Sequence, residues 1–168
     1  MPYPAIYSLT QEATVKGHYG DVRSMFLREM TDEALDAILR NSHAMVSPFG
    51  IAQLRVLGGE MARVPDATSS FTHRDKPFMF SAINVWMDPR ESERQRAWTE
   101  RFWQDMRPHA AGVYVNFLGD EGEDRILEAY GPATYERLAT LKARYDPTNF
   151  FRLNQNIKPA TQQEEQAA

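Results

Sequence analysis

Three groups of polar residues have the types and spacing to bind a small molecule. Residues 154–156, Asn-Gln-Asn, supply side-chain amides that can hydrogen-bond a ligand or the backbone of a neighbouring domain. Tyr114 and Asn116 are two residues apart in a predicted strand, so their side chains project from one face. Gln53 and Arg55 share a face of another predicted strand, but neither can act as a general base, because an amide takes no proton and a guanidinium stays protonated.

Composition excludes several other kinds of chemistry. The chain has no cysteine, which rules out disulfides, thiolate metal sites, cysteine nucleophiles and cysteinyl cofactor links. The four histidines have no ligand spacing, so we predict no metal site: His18, His43, His73 and His109. The net charge of −4 and the scattered basic residues argue against nucleic acid as a partner. The chain has neither a signal sequence nor an apolar run long enough to span a membrane, and we therefore expect a cytoplasmic protein.

The predicted elements that position these residues alternate between strands and helices. Apolar and β-branched runs predict strands over residues 21–29, 51–57, 78–87 and 113–118, and helical periodicity with capping residues predicts helices over 32–42, 88–107, 124–130 and 132–145. This order predicts the α+β class: an antiparallel β-sheet with helices packed on one face, plus a C-terminal helix and an extended tail. Its second face is then either solvated or covered by a partner.

Hydrophobic periodicity predicts which residues of the helices are buried. Trp98, Phe102 and Met106, four residues apart, form a predicted buried stripe, and Leu35, Ile38 and Leu39 recur at helical spacing in the first helix. A chain of 168 residues with 42% hydrophobic content can bury one core, so we expect a single domain over residues 1–159.

The residues near the end of the chain predict where the last helix stops and an extended tail begins. Asp146 and Pro147 end the last helix, because proline lacks an N–H group and disfavours the helical conformation of the residue before it. Phe150 and Phe151 follow, and we expect both to be buried. Pro159 keeps the exit extended, and the polar residues 160–168 are predicted to be disordered.

Four segments together resemble one protein family. They are LGGEMARVPDATSSFTHR at residues 57–74, WMDPRE at 86–91, YVNF at 114–117 and AYGPATYERLATLKARYDPTNFF at 129–151, and the run from Tyr145 to Pro159 resembles the C-terminal signature of the same family. They are similar to the C-terminal portion of the berberine-bridge-enzyme-like FAD-linked oxidoreductases, which covers the flavin and shapes the substrate pocket. The resemblance implies FAD as cofactor, hydride transfer to the flavin and a small-molecule substrate.

The resemblance also implies roles for individual residues. Tyr114, Asn116, Asn154 and Gln155 match positions near the flavin or the cofactor domain, and we predict that they are cofactor-binding. We predict that Gln53 and Arg55 face the substrate.

Two features depart from the family pattern. Many members have a tyrosine directly after the asparagine of the Tyr-x-Asn strand, and in several of them it takes a proton from the substrate hydroxyl. Here Phe117 stands in its place and cannot accept a proton. No glycine-rich phosphate loop is evident either, so we expect the N-terminal FAD-binding domain to be absent.

These departures leave three alternatives open. In the first, the chain is a truncated or split part of an oxidoreductase that is inactive by itself and pairs with an FAD-binding domain on a separate chain. In the second, it is a non-catalytic module that forms a homodimer or binds a small ligand. The third alternative is a gene remnant without activity.

Overall fold

The centre of the fold, in a computed structural model that describes residues 2–9, 11, 15–119 and 121–161, is a three-stranded antiparallel sheet. The strands are β1 (Tyr19–Leu27), β2 (Ile51–Val56) and β3 (Phe78–Trp86), in the order β1-β3-β2. The predicted α+β class and antiparallel sheet are confirmed. Each of these strands starts and ends within about two residues of its predicted limits.

Five α-helices and several short 3-10 turns surround the sheet in the described residues. The helices are α1 (Asp32–His43), α2 (Glu60–Arg63), α3 (Ser92–Met106), α4 (Glu123–Tyr130) and α5 (Pro132–Tyr145). The hydroxyl of Thr31 caps α1 by accepting a hydrogen bond from the amide of Ala34 at 3.2 Å. The carboxylate of Asp88 accepts one from the amide of Arg90 at 2.9 Å and so begins the turn that leads into α3.

The core lies between one face of the sheet and α3, and we name this face of the sheet the helix face. Trp98, Phe102 and Met106 are fully buried, as predicted from their spacing. The Phe102 ring packs against Phe80 of β3 at 4.9 Å between centroids. The indole N–H of Trp98 donates to the backbone oxygen of Asn41 at 3.0 Å, which ties α3 to α1.

The predicted apolar stripe of α1 is right for Ile38, which packs partly buried against the core, and wrong for the two leucines. Leu35 and Leu39 are 40% and 55% exposed, whereas Ala34 and Ala37 belong to the buried core. Small side chains let α1 approach α3 closely, so the alanines, rather than the larger leucines, occupy the contact. Periodicity alone does not separate two such neighbouring stripes.

The predicted fourth strand, residues 113–118, does not form in the structure. The chain pairs with the end of β1 only briefly, through Ala111 N to Phe26 O and Phe26 N to Gly112 O, both 2.8 Å. Gly112 then adopts a φ of +140°, and Val115–Phe117 form a 3-10 turn. The face of the sheet opposite the helix face is named the second face. We name residues 111–119 the crossing segment, because they leave the edge of the sheet and pass over the second face.

The prediction that Phe150 and Phe151 are buried is wrong for the described chain. Their side chains are 71% and 76% exposed and contact each other edge to face at 5.1 Å. The carboxylate of Asp146 accepts hydrogen bonds from both backbone amides, at 2.7 and 3.0 Å, and this turn directs the two rings outward. Most of the segment predicted to be disordered, residues 162–168, lies outside the described residues. Within the ranges that the structure describes, no helix is long and apolar enough to cross a membrane.

Candidate functional site

An aromatic cluster anchors the crossing segment to the second face of the sheet. The cluster consists of Phe26, Phe71, His73, Tyr114 and Phe117. Phe26 is 1% exposed and stacks on the His73 ring at 4.7 Å, with Tyr114 edge-on at 6.4 Å. Tyr114 also packs edge-on against Phe71 at 5.9 Å and Phe117 at 5.3 Å. These contacts fix the positions of the Tyr114 and Phe117 rings.

His73 is held by packing and by one backbone group. Its Nε2 lies 3.1 Å from the carbonyl oxygen of Ala129, so the neutral ring donates from that nitrogen. Burial lowers the pKa of His73, and the neighbouring Lys76 charge lowers it further. Gly112 lies directly against the ring, where a Cβ atom would come within 2.6 Å of Nδ1. Because Nδ1 is packed against Gly112, we interpret His73 as a structural residue rather than as a base.

A cavity of about 420 Å³ lies between the crossing segment and the tail, and we name it the amide cavity. Its lining residues are Val115, Asn116, Leu118, Tyr130, Leu153, Asn154 and Gln155. The amide of Gln155 donates to the backbone oxygens of Leu118 and Gly119 at 2.7 and 3.1 Å, which ties the tail to the crossing segment. Three of the four residues predicted to bind cofactor therefore meet at one cavity.

A second cavity of about 220 Å³ adjoins the first, and we name it the tyrosine cavity. It shares Val115, Asn116 and Tyr130 with the amide cavity and adds Tyr114, the fourth predicted residue. The side-chain amide of Asn116 donates to the Tyr114 hydroxyl at 2.8 Å. The two side chains therefore do lie together, as predicted, although a 3-10 turn rather than a strand brings them there.

Tyr130 is a candidate site residue that the sequence analysis missed. It lines both cavities, and burial raises the pKa of its phenol, with a smaller contribution from nearby Tyr114. The phenol therefore stays protonated and can donate a hydrogen bond. The sequence feature that could have identified Tyr130 is its position as the last residue of α4, directly before the helix break at Gly131. This break holds Tyr130 beside the crossing segment.

Gln53 and Arg55 lie apart from the two cavities. They project from β2 onto the second face, where Arg55 donates to the Ser81 hydroxyl at 3.3 Å and lies 5.2 Å from the centre of the Phe117 ring. Phe117 therefore separates Arg55 from Tyr114. Among residues 2–9, 11, 15–119 and 121–161, no group of three or more His, Cys, Asp or Glu side chains is close enough to hold a metal ion.

The cavities fit one end of an FAD molecule better than the other. Asn116, Asn154 and Tyr130 offer hydrogen-bonding groups beside apolar side chains, which suits the flat ring of a flavin. A pyrophosphate needs free N–H groups or cations, but α1 and α4 carry acidic residues in their first turns, and α5 begins with Pro132, which has no N–H. Asp88 and Glu91 likewise place carboxylates before α3.

Comparison with known proteins identifies relatives of the chain. Residues 113–158 match the family model described as "Berberine and berberine like". The chain is 37% identical over 103 residues to the uncharacterized FAD-linked oxidoreductase YvdP of Bacillus subtilis, covering 61% of this chain and 23% of that protein. An FAD-linked oxidoreductase of Dictyostelium discoideum is 28% identical over 161 residues, covering 95% of this chain and 35% of that protein.

Solved structures share the fold. BBE-like 28 from Arabidopsis thaliana superposes with a TM-score of 0.76 at 22% identity, covering 87% of this chain and 35% of that one. CrmK, a flavoenzyme of caerulomycin biosynthesis, superposes with a TM-score of 0.77 at 24% identity, covering 87% and 33% of the two chains. The chain spans between about a quarter and a third of the length of these proteins. The chain is similar in sequence to the berberine bridge enzyme-like FAD-linked oxidoreductases and shares the fold of one portion of them.

Proposed function

We propose that this chain forms the part of an FAD-dependent oxidoreductase that covers the flavin ring and shapes the substrate pocket. The observation that carries the proposal is the convergence of Tyr114, Asn116, Asn154 and Gln155, from two distant segments, at two adjoining cavities. The relatives are named as FAD-linked oxidoreductases, which supports the same cofactor here. When bound, the flavin would supply the acceptor for a hydride from the substrate.

The residues of this chain would orient the reactants rather than exchange protons. Asn116 fixes the Tyr114 hydroxyl through the 2.8 Å hydrogen bond, so that its proton is free to reach a ligand. Tyr130 donates from a phenol whose pKa is raised by burial. The aromatic cluster beneath them excludes water from the sheet side of the tyrosine cavity. Phe117 accepts no proton, so a base for a substrate hydroxyl comes from elsewhere in the assembled site.

The tail offers a surface for the partner that would bring the rest of the FAD site. Phe150, Phe151 and Leu153 are 71%, 76% and 85% exposed, and Tyr145 beside them is 73% exposed. An exposed apolar group of this size is typical of an interface. We therefore propose an FAD-binding domain on a separate chain as the partner, without which this chain is inactive.

Co-expression tests the need for this partner. The chain is produced alone and together with the FAD-binding portion of the Bacillus subtilis relative, and flavin absorbance is measured in each purified sample. We expect a colourless isolated chain and retained flavin in the pair, with retention lost when Phe150 and Phe151 are both changed to Ser. Flavin-dependent oxidation by the isolated chain would contradict the proposed dependence.

A flavin titration tests contact with the ring itself. We expect FMN and FAD at high concentration to shift the same amide resonances of the isolated chain, those of Asn116 and its neighbours, because both carry the isoalloxazine ring. ADP should shift none of them. Gln155→Ala should weaken the effect because it releases the tail, whereas Gln104→Ala, on the exposed side of α3, should leave it unchanged. Identical shifts with ADP, or none with either flavin, would refute ring contact.

A non-catalytic homodimer is the second candidate, and Phe117 in place of a proton acceptor favours it. Such a dimer would cover the exposed aromatic rings of the tail with a second copy. Light scattering distinguishes the two proposals, because the homodimer predicts twice the chain mass of 19.3 kDa in the absence of any partner. A monomer that gains mass only with the FAD-binding portion supports the oxidoreductase.

A further inference from the structure

Arg55 is a half-buried cation whose described partners are all neutral. Its guanidinium donates to the Ser81 hydroxyl at 3.3 Å and lies over the Phe117 ring. In the part of the chain that the structure describes, no carboxylate forms an ion pair with it. A guanidinium that is partly withdrawn from water is stabilised by an anion, and Arg55 has none within these residues.

Two other half-buried cations of the fold have anionic partners, whereas Arg74, like Arg55, has only neutral ones among the described residues, the Met61 oxygen and the Ser69 hydroxyl. Arg125 binds Glu121 at 3.2 Å, and its side chain is 21% exposed. Lys142 binds Asp146 at 2.6 Å, and its side chain is 16% exposed. Arg55 differs from these two paired cations, and it differs from Arg74 in lying on the second face of the sheet, where an external anion could bind it.

A row of polar side chains lies beside Arg55. Ser24, Ser81 and Gln53 are direct cross-strand partners on β1, β3 and β2, so they form one line across the second face. Ser24 and Ser81 are only 3% and 1% exposed. The Ser24 hydroxyl and the Gln53 side-chain oxygen are buried and have no hydrogen-bond partner. The described residues contain seven buried side-chain polar atoms without a partner, and two of them lie in this row beside a guanidinium that has no anionic partner, which makes the row a candidate ligand site.

We propose that Arg55 and this polar row bind the carboxylate of a small-molecule substrate. The planar guanidinium fits a carboxylate, and the Ser24 hydroxyl can donate a further hydrogen bond. Gln53 can donate as well when its amide is rotated by half a turn, since its oxygen and nitrogen occupy equivalent positions. One guanidinium among neutral groups matches a monoanion rather than a phosphate, which needs more positive charge.

The rest of the substrate would lie on apolar surface next to the row. Val22, Ile83 and Ile51 are the next cross-strand line on the same face, and all three are half-buried. The Phe117 ring borders Arg55 on the side towards the cavities. An apolar or aromatic carboxylic acid is therefore the substrate class that this surface fits. The inference rests on the proposed function because it treats the ligand as a substrate, and it adds that the substrate is a carboxylic acid.

Benzoate and benzamide are the probes that test the charge requirement, because they share a ring and differ in the anion. The isotope-labelled full chain is titrated with each at constant ionic strength and followed by NMR. We expect benzoate to shift the Arg55 side-chain N–H resonance and the amides of Ser24, Gln53 and Ser81. Benzamide should bind about tenfold more weakly or worse, since it lacks the charge-assisted hydrogen bonds.

Variants separate this site from general binding of anions. Arg55→Gln should abolish the benzoate shifts, and Arg55→Lys should retain part of the affinity because it keeps the charge without the planar fork. Arg152→Gln removes an exposed arginine of the tail and should have no effect. The amide spectrum of each variant reports whether the fold is kept.

Three results would overturn the inference. They are equal affinity for benzoate and benzamide, unchanged benzoate binding by a folded Arg55→Gln variant, and benzoate shifts that map to other surface arginines. None of these measurements contains flavin. Failure of the carboxylate site is therefore distinguishable from failure of the proposed flavin-covering function, which the FMN and FAD titration tests separately.

Discussion

Replacing Gly112 by alanine should destabilise the protein by two separable effects. The first is backbone strain, because φ is +140° at this position, and a side chain in such a conformation costs about 1–3 kcal/mol. The second is overpacking, because the new Cβ would lie 2.4 Å from Cε1 of His73 and 2.6 Å from its Nδ1, and such crowding costs about 1–3 kcal/mol. The His73 ring cannot simply move away, since Phe26 stacks on it and the Ala129 oxygen holds Nε2.

We therefore expect Gly112→Ala to lower the free energy of unfolding by about 2–6 kcal/mol and Tm by roughly 4–24 °C. Urea unfolding followed by tryptophan fluorescence measures the change, because Trp86 and Trp98 are buried. Gly58→Ala is the matched control. Its φ of +148° is similar, but no atom lies within 4 Å of the added Cβ, so it should show the backbone part alone.

A double-mutant cycle isolates the contact with His73. In a His73→Ala background the ring is gone, and Gly112→Ala should then cost only the backbone part, which gives a coupling energy of about 1–3 kcal/mol. The reasoning is refuted if Gly112→Ala costs no more than Gly58→Ala, or if it costs the same with and without the His73 ring. Either result would mean that the ring has room to move.

Three further outcomes follow from the site. Because burial lowers the pKa of His73 below its ordinary 6.5, the unfolded chain takes up a proton first, and the free energy of unfolding should fall as pH is lowered from about pH 7 to about pH 5. The variant His73→Gln should flatten this pH dependence, and an unchanged slope in the variant would contradict the reasoning. Gln155→Ala removes the hydrogen bond to Leu118 O and should expose the tail to faster proteolysis at a global cost of about 0.5–1.5 kcal/mol, whereas unaltered cleavage would show that other contacts hold the tail. Changing Phe150 and Phe151 together to Ser should alter the free energy of unfolding by less than about 0.5 kcal/mol, and a loss of several kcal/mol would show that the rings pack within this chain.

The elements that local chemistry dictates were predicted closely from the sequence. Pro132 and Asp146 bound the last helix as expected, because proline suits the first helical turn and the residue before Pro147 is driven out of the helical conformation. The stripe of Trp98, Phe102 and Met106 followed from helical periodicity, since large apolar residues four apart have one face to bury. Both features depend on neighbours in the chain.

The crossing segment could not be predicted in this way. Tyr114 to Phe117 have the β-branched and aromatic content of a strand, but Gly112 turns the chain away from β1, and the rings of Phe26 and Phe71 provide a better contact on the second face. Local preference was therefore overridden by tertiary packing, as β propensity often is. Tyr130 was not predicted as a site residue for the same reason, because its place in the lining of both cavities depends on the tertiary structure.

The sequence by itself determined the family resemblance, the α+β class, the limits of α1, α4 and α5 and the identity of most candidate site residues, because these follow from residue type and from spacing along one segment. Only the tertiary structure decided that Asn116 meets Gln155 at one cavity, that the rings of Phe150 and Phe151 face solvent, and that Arg55 lacks an anionic partner among the described residues. Each of these depends on how distant segments approach one another. Such an approach is set by packing and by the satisfaction of buried polar groups, which no single stretch of sequence contains.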